Sequence, residues 1–143
     1  MFVWMENNEL KVAFQREFAP EDAIEIDTLG LNPVPPLEVF IKIENGRIVL
    51  RNQDEILQKL KEAKLTELKN YVGRLLEPTD YVVARIAEEE INGDTDTAEQ
   101  LKQKYAKQLQ EREAIRRWNE QMKQAIKKAK TLEELRQIEI RYG

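Results

Sequence analysis

The spacing of apolar residues changes near residue 52, and this change constrains the fold more than any other feature of the sequence. Before that point, apolar residues alternate with polar ones, as they do in half-buried strands. After it, they recur every three or four residues almost to the end of the chain, as they do in helices. The pattern predicts an α+β protein in which a small antiparallel β module, residues 1–51, precedes a long helical arm, residues 52–143, of hairpin or coiled-coil-like character.

The stronger of two predicted hairpins turns at Asn45-Gly46. This dipeptide favours the positive φ angles of a type I′ turn, whose twist matches that of the paired strands. The flanking strands are predicted at residues 38–43 and 48–51. A two-residue loop sets the register and places four apolar side chains on one face, which is the predicted core face: Ile41 opposite Leu50, and Ile43 opposite Ile48.

A weaker hairpin and a stiff connector complete the predicted β module. The hairpin turns at Asn7-Asn8, between apolar residues 2–5 and 10–14. The connector, residues 29–36, holds three prolines within four positions. Because proline fixes φ and lacks an amide hydrogen, this segment is predicted to be an extended spacer, with a proline-rich recognition ligand as the alternative.

Capping and breaking residues divide the helical arm into four predicted helices. Asn52 and Glu55 form a capping box at the first start, and Thr131 with Glu134 forms another near the end. Pro78 interrupts the first stripe, and Thr79 is the predicted cap of the helix that follows. Asn92-Gly93 ends that helix. The predicted helices therefore cover about 53–77, 80–92, 97–129 and 131–142.

The third predicted helix carries the stripe that we expect to bind protein. At about 1.5 Å per residue it would be roughly 50 Å long, which exceeds the diameter of roughly 30–40 Å expected for a compact chain of this length. A two-helix hairpin buries only one narrow seam, so the remaining large apolar side chains should contact copies of the chain or another protein. The predicted interface residues are Tyr105, Leu109, Ile115, Trp118, Met122 and Ile126, and Arg112 interrupts this stripe where an apolar residue is expected.

Composition argues against catalysis and cofactor binding. The chain has no His and no Cys, which removes the commonest general base and every thiolate site. It shows no glycine-rich phosphate loop and no nucleophile elbow, and Asp94 with Asp96 lacks the ligand spacing of a calcium loop. The sequence therefore predicts no enzyme, no catalytic or cofactor-binding residues, no metal site and no cofactor. No apolar run is of transmembrane length, and no signal peptide is evident, so we expect no membrane contact and synthesis in the cytoplasm.

Charge is distributed unevenly along the chain. Residues 1–50 hold 4 basic and 9 acidic residues, a balance of −5, whereas residues 94–130 hold 10 basic and 6 acidic residues, a balance of +4. One interpretation is a solvated helix that follows an acidic module; another is head-to-tail docking between copies. The basic helix 97–129, with Tyr105 and Trp118 between its cations, also suggests nucleic-acid binding, although both rings fit the apolar stripe.

Several short segments resemble the end of many tailed-phage and prophage tail proteins. In those proteins a β module with an Asn-Gly hairpin precedes a helix, a Thr-Asp-Tyr helix start, a helix with a Glu-Arg-x-x-x-Arg segment and a closing Thr-x-x-Glu-Leu helix. The corresponding segments here are Asn45–Val49, Leu65–Lys69, Leu76–Val83, Glu111–Arg116 and Ala129–Leu135. The chain departs from the pattern after the second helix, where Gly93–Asp96 replaces the Pro-Tyr-Asp often found there.

The resemblance covers roughly residues 44–138 and implies a function in assembly. It implies a non-enzymatic structural component of a phage or phage-like tail, such as a tail-fibre, baseplate or tail-tip accessory protein. Such a protein would be made in the host cytoplasm, would reside in the virion tail, and would bind other tail proteins and copies of itself. The alternative is a soluble tail-fibre assembly chaperone absent from the mature particle. A second alternative is a nucleic-acid-binding protein that uses helix 97–129.

Overall fold

The computed structural model describes all 143 residues and confirms the α+β class. Five strands lie within the first fifty residues, and helices dominate the rest. The chain divides into two compact units, Met1–Leu60 and Lys61–Gly143, and the division falls within the first long helix. No helix combines the length and the apolar character needed to cross a bilayer.

The first unit contains two small antiparallel sheets. Strands β1 (Phe2–Glu6), β2 (Glu9–Ala13) and β3 (Ile24–Glu25) form one sheet in the order β2-β1-β3. Strands β4 (Ile41–Glu44) and β5 (Arg47–Leu50) form a separate hairpin. Helix α1 (Gln53–Leu76) begins after β5, and short 3-10 turns occur at Arg16–Phe18 and Leu37–Val39.

Both predicted hairpins are confirmed, as is the register predicted for the hairpin at Asn45-Gly46. Asn45 and Gly46 have φ angles of 52° and 73°, and Asn7 and Asn8 have φ angles of 53° and 62°, as a type I′ turn requires. Ile41 pairs with Leu50 and Ile43 pairs with Ile48. The strand predicted from residue 38 is wrong at its start, because residues 37–39 form a 3-10 turn after Pro36 and β4 begins at Ile41.

The core of the first unit is apolar and small. Its buried members are Val3, Ile26, Val39, Phe40 and Ile41. The predicted core face holds for Ile41 and for the half-buried Ile48, but Ile43 and Leu50 are 46% and 51% exposed. Alternation correctly assigns the four side chains to one face, yet it does not tell how far other elements cover that face.

The second unit is helical. Helix α1 ends at Leu76, a 3-10 turn follows at Glu77–Thr79, and four further helices complete the unit: α2 (Asp80–Ile91), α3 (Thr95–Lys104), α4 (Ala106–Lys128) and α5 (Leu132–Gln137). The fully buried side chains come from α1, α2 and α4: Leu68, Val82 and Ile126. The end of α1 at Leu76 and the start of α2 at Asp80 confirm the predicted interruption at Pro78.

The prediction of one helix over 97–129 is wrong. Tyr105 has φ −105° and ψ 21° and separates α3 from α4, while helical hydrogen bonds continue on both sides of it. At about 1.5 Å per residue the two helices are roughly 15 and 35 Å long, so the expectation of a helix longer than a globule loses its basis. The last helix is also shorter than predicted, because α5 ends at Gln137.

Most predicted helix caps are confirmed. The Glu55 amide donates to Asn52 Oδ1 at 2.8 Å, and the Asn52 amide donates to Glu55 Oε1 at 3.4 Å, which is the reciprocal capping box. Thr131 Oγ1 likewise accepts from the Glu134 amide at 3.1 Å. The prediction for Thr79 is wrong, because its hydroxyl donates to the Leu76 carbonyl and does not cap α2.

Candidate functional site

A buried arginine side chain lies at the junction between α1 and α2. Arg112, on α4, is only 6% exposed. Its Nη1 group lies 2.9 Å from each of three acceptors: the Leu76 carbonyl, Thr79 Oγ1 and Asp80 Oδ1. The interruption of the apolar stripe seen in the sequence is thus a cation that joins α4 to the α1–α2 junction.

The chemistry of a helix end explains why a cation fits there. The last carbonyls of α1 have no partner within the helix, and the macrodipole gives that end partial negative charge. Thr79 links the cation to the helix, since its hydroxyl donates to the Leu76 carbonyl and accepts from Arg112. Asp80, the first residue of α2, adds a carboxylate. The Nε atom of Arg112 is buried without a hydrogen-bond partner, so the site is not fully satisfied.

The third residue of the Thr79-Asp80-Tyr81 segment faces outward. The Tyr81 side chain is 57% exposed. Its ring packs edge-on against Tyr105, with centroids 5.9 Å apart, and Lys104 Nζ lies 5.2 Å from the Tyr105 centroid. A shallow cleft of about 530 Å³ surrounds these rings and is also lined by Ala84, Arg85, Glu88 and Leu101.

Other apolar side chains on α2 also reach the surface. Val83 is 38% exposed and Ile91 is 85% exposed. Val83 borders an apolar depression of about 220 Å³ whose rim contains Glu90 and Lys102. These two side chains form an ion pair at 2.8 Å, and the hydrogen bond and charge of Glu90 raise the pKa of Lys102. Helix α2 therefore presents apolar side chains next to a paired polar rim.

Trp118 lies in an aromatic cluster within the chain. Its ring centroid is 5.7 Å from that of Tyr71 and 5.4 Å from that of Tyr142. The Tyr142 amide donates to the Tyr71 hydroxyl at 3.1 Å. Partial burial, and then the hydrogen bond and charge of Glu111, raise the pKa of Tyr142.

The six predicted interface residues fall into two groups. Ile115 and Ile126 are 4% and 0% exposed, so both belong to the core of the second unit. The other four are half-buried: Tyr105, Leu109, Trp118 and Met122. Their contact with another chain stays a prediction. The exposed apolar residues of α2, which are Tyr81, Val83 and Ile91, were not among the predicted interface residues.

No protein-family model matches this chain, and no curated protein or solved structure is detectably similar to it. No group of three or more acidic side chains comes together in the manner of a metal centre. The functional conclusion must therefore come from the residues and geometry described above.

Proposed function

We propose that this chain is a non-enzymatic structural component of a phage or phage-like tail that acts by binding other tail proteins. The observation that carries the proposal is the contact between Asp80 and Arg112. These residues belong to the Thr-Asp-Tyr and Glu-Arg-x-x-x-Arg segments on which the tail-protein resemblance depends, and they stand 32 residues apart in sequence. Their side chains meet at 2.9 Å. Two motifs whose side chains contact each other form one structural element, which supports treating them as a single signature.

The Asp80–Arg112 contact also supports a role in binding. It fixes the start of α2 against α4 and so holds Tyr81 in place beside Tyr105. Binding surfaces are more effective when their aromatic and aliphatic residues are already rigid, because less side-chain entropy is lost on association. Tyr81, Val83 and Ile91 are the accessible apolar residues of this helix, and tyrosine is prominent among residues that dominate interface energetics.

A protein partner suits these helices better than a nucleic acid does. Arg112 is buried, and the Trp118 ring is already packed between Tyr71 and Tyr142. Several exposed cations of α3 and α4 are paired with carboxylates, including Lys102 with Glu90 and Arg117 with Glu113. Base stacking needs a free aromatic face, which Trp118 does not offer, so its ring contacts disfavour the nucleic-acid alternative.

The proposal is tested by quantifying the chain in purified particles. Particles from a strain that encodes the chain are banded, washed with salt and analysed by quantitative mass spectrometry against the major tail-tube protein. A tail component should be present at a fixed ratio that survives washing. Presence in tail intermediates of the lysate, with absence from finished particles, would instead identify the assembly chaperone. Absence from both would overturn the proposal.

A matched pair of variants tests the role of α2 in the same particles. Tyr81→Ser with Ile91→Ser removes two exposed apolar side chains of α2, whereas Gln100→Ser with Gln103→Ser changes two exposed positions of α3 that do not line the cleft beside Tyr81. Because interface anchors each contribute on the order of 2 kcal/mol, we expect the first variant to lower incorporation by roughly tenfold or more and the second to leave it unchanged. Equal incorporation of both, with unchanged unfolding temperatures, would show that α2 is not the binding surface.

A further inference from the structure

The second unit contains a basic groove that the proposed function does not use. It has a volume of about 430 Å³ and lies between α1 and α4. Its lining residues are Leu65, Thr66, Lys69 and Val72 from α1, and Asn119, Lys123 and Lys127 from α4. We refer to it as the lysine groove.

The lysine groove is positively charged and partly apolar. Lys123 is paired with Glu120 at 3.2 Å, but Lys69 and Lys127 form no ion pair, so the groove carries excess positive charge. The half-buried Leu65 adds apolar surface beside these cations. An occupant should therefore supply carboxylates or another anion, and an apolar side chain.

An acidic peptide segment meets both requirements. Its side-chain carboxylates suit the ammonium groups, and an adjacent apolar side chain can cover Leu65. The phosphates of a nucleic-acid backbone suit the lysines but offer no apolar group for the aliphatic surface.

The chain itself carries a segment of this kind at residues 17–27. Glu17, Glu21, Asp22 and Glu25 are exposed and form no ion pair, and Phe18 between them is 69% exposed. The segment is also held in shape, because Arg16 donates to the carbonyls of Pro20 and Glu21 at 2.7 and 2.9 Å. A pre-shaped acidic loop with an exposed phenylalanine is complementary to a basic groove with an aliphatic surface.

We infer that the lysine groove of one copy binds the acidic segment 17–27 of a second copy. The contact uses different surfaces on the two copies, so it can be repeated head-to-tail from copy to copy into a ring or a filament. The inference stands on the groove and the segment alone and does not require the assignment to a phage tail. It assigns the uneven charge of the sequence, −5 over residues 1–50 and +4 over residues 94–130, to a specific pair of surfaces.

A charge exchange in the full-length chain tests this inference. The groove variant carries Lys69→Glu and Lys127→Glu, and the segment variant carries Glu21→Lys and Asp22→Lys. Sedimentation velocity at low ionic strength should show a series of oligomers for the wild type. Each variant alone should associate at least about tenfold more weakly than the wild type, because like charges then face each other. An equimolar mixture of the two variants, and a single chain with all four changes, should both recover association.

Three controls make the result decisive. Lys107→Glu with Lys128→Glu changes the charge equally at exposed positions outside the groove and should leave association unchanged. Added salt should weaken wild-type association, because the contact is electrostatic. Unfolding curves establish that every variant is folded. A monomeric wild type at all concentrations, full association of either single variant, or no recovery on mixing would overturn the inference. Binding of labelled DNA that the groove variant alone abolishes, without self-association, would also overturn it and would assign the groove to nucleic acid.

Discussion

The two units of this chain differ in what determines their structure. In the first unit the buried side chains are apolar, and two of the three pairs of adjacent strands are joined by two-residue turns. In the second unit a buried cation lies among the apolar residues, and polar contacts join positions far apart in sequence. Examples are Arg112 to the Leu76 carbonyl, 36 residues apart, and Lys64 Nζ to the Leu135 carbonyl, 71 residues apart.

This difference shows where each unit is vulnerable. A turn that fixes its own register requires only the right dihedral angles, so its weak point is one residue. A helix junction that is stabilised by a side chain distant in sequence requires the hydrogen bonds of that side chain to form. We therefore expect the largest loss of stability from a change at Arg112 and smaller effects from local changes.

The Arg112→Met variant is the strongest test of the comparison. Methionine keeps much of the apolar volume, but it leaves the Leu76 carbonyl, Thr79 Oγ1 and Asp80 Oδ1 without their shared donor. Loss of the shared donor from these part-buried, charged hydrogen bonds should reduce the free energy of unfolding by about 1.5–3 kcal/mol. Urea unfolding followed by circular dichroism measures the change.

Arg112→Lys serves as the matched control for that variant. Lysine retains the positive charge, but its single ammonium group does not reproduce the planar set of donors of the guanidinium. The stability of Arg112→Lys should therefore lie between that of the wild type and that of Arg112→Met. If the methionine variant and the wild type had the same urea midpoint of unfolding, the second unit, like the first, would depend on apolar burial alone.

Gly46→Val tests the local control of the first unit. Gly46 has a φ of +73°, which a β-branched residue resists, although the position of its added Cβ is open. We expect a loss of about 1–2 kcal/mol in the free energy of unfolding, measured in the same urea titration. Gly46→Asn is the control, since asparagine tolerates this region and should lose less. Equal stability of all three proteins would contradict the assigned turn.

The same distinction explains which features could be predicted from the sequence. The hairpin at Asn45-Gly46 and the capping box at Asn52 were predictable because every interacting group lies within a few residues. The break at Tyr105 was not, since helical hydrogen bonds continue around it and its ring packs against Tyr81, 24 positions earlier in the sequence. The gap at Arg112 was visible in the apolar stripe, but its partners were not.

The candidate site was less predictable than the fold for the same reason. Helical periodicity identifies apolar positions, but it does not tell whether another helix of the same chain covers them. Ile115 and Ile126 were predicted to face a partner and are buried within the second unit. The end of the chain was predicted to be helical to residue 142, yet Tyr142 instead packs against Trp118. Its amide binds the Tyr71 hydroxyl, 71 residues earlier.

Gly73→Ala sharpens the comparison with an expected gain. Gly73 lies inside α1, and a Cβ built there meets no atom within 4 Å. Alanine should therefore increase stability by about 0.5–1 kcal/mol, since glycine is a poor helix former. Gly93→Ala is the matched control, because Gly93 ends α2 with a φ of +78° and should lose stability. A loss at both positions would mean that the helix around Gly73 is not regular.

The smallest expected effect is a pH dependence at Tyr142. Partial burial, and then the Glu111 carboxylate, raise the pKa of this hydroxyl above its ordinary value of about 10. Because the folded state holds the proton more tightly than the unfolded state, the hydroxyl stabilises the fold below about pH 10, and this contribution disappears as the pH rises through the raised pKa. Tyr142→Phe removes the titrating group and keeps the ring beside Trp118. The stability difference between wild type and Tyr142→Phe should therefore narrow as the pH rises above about 10, measured by urea unfolding at each pH. Taking the difference removes the pH dependence that is common to both proteins. A stability difference that stayed constant, or that grew with pH, would show that the Tyr142 hydroxyl does not help to hold this residue against the rest of the second unit.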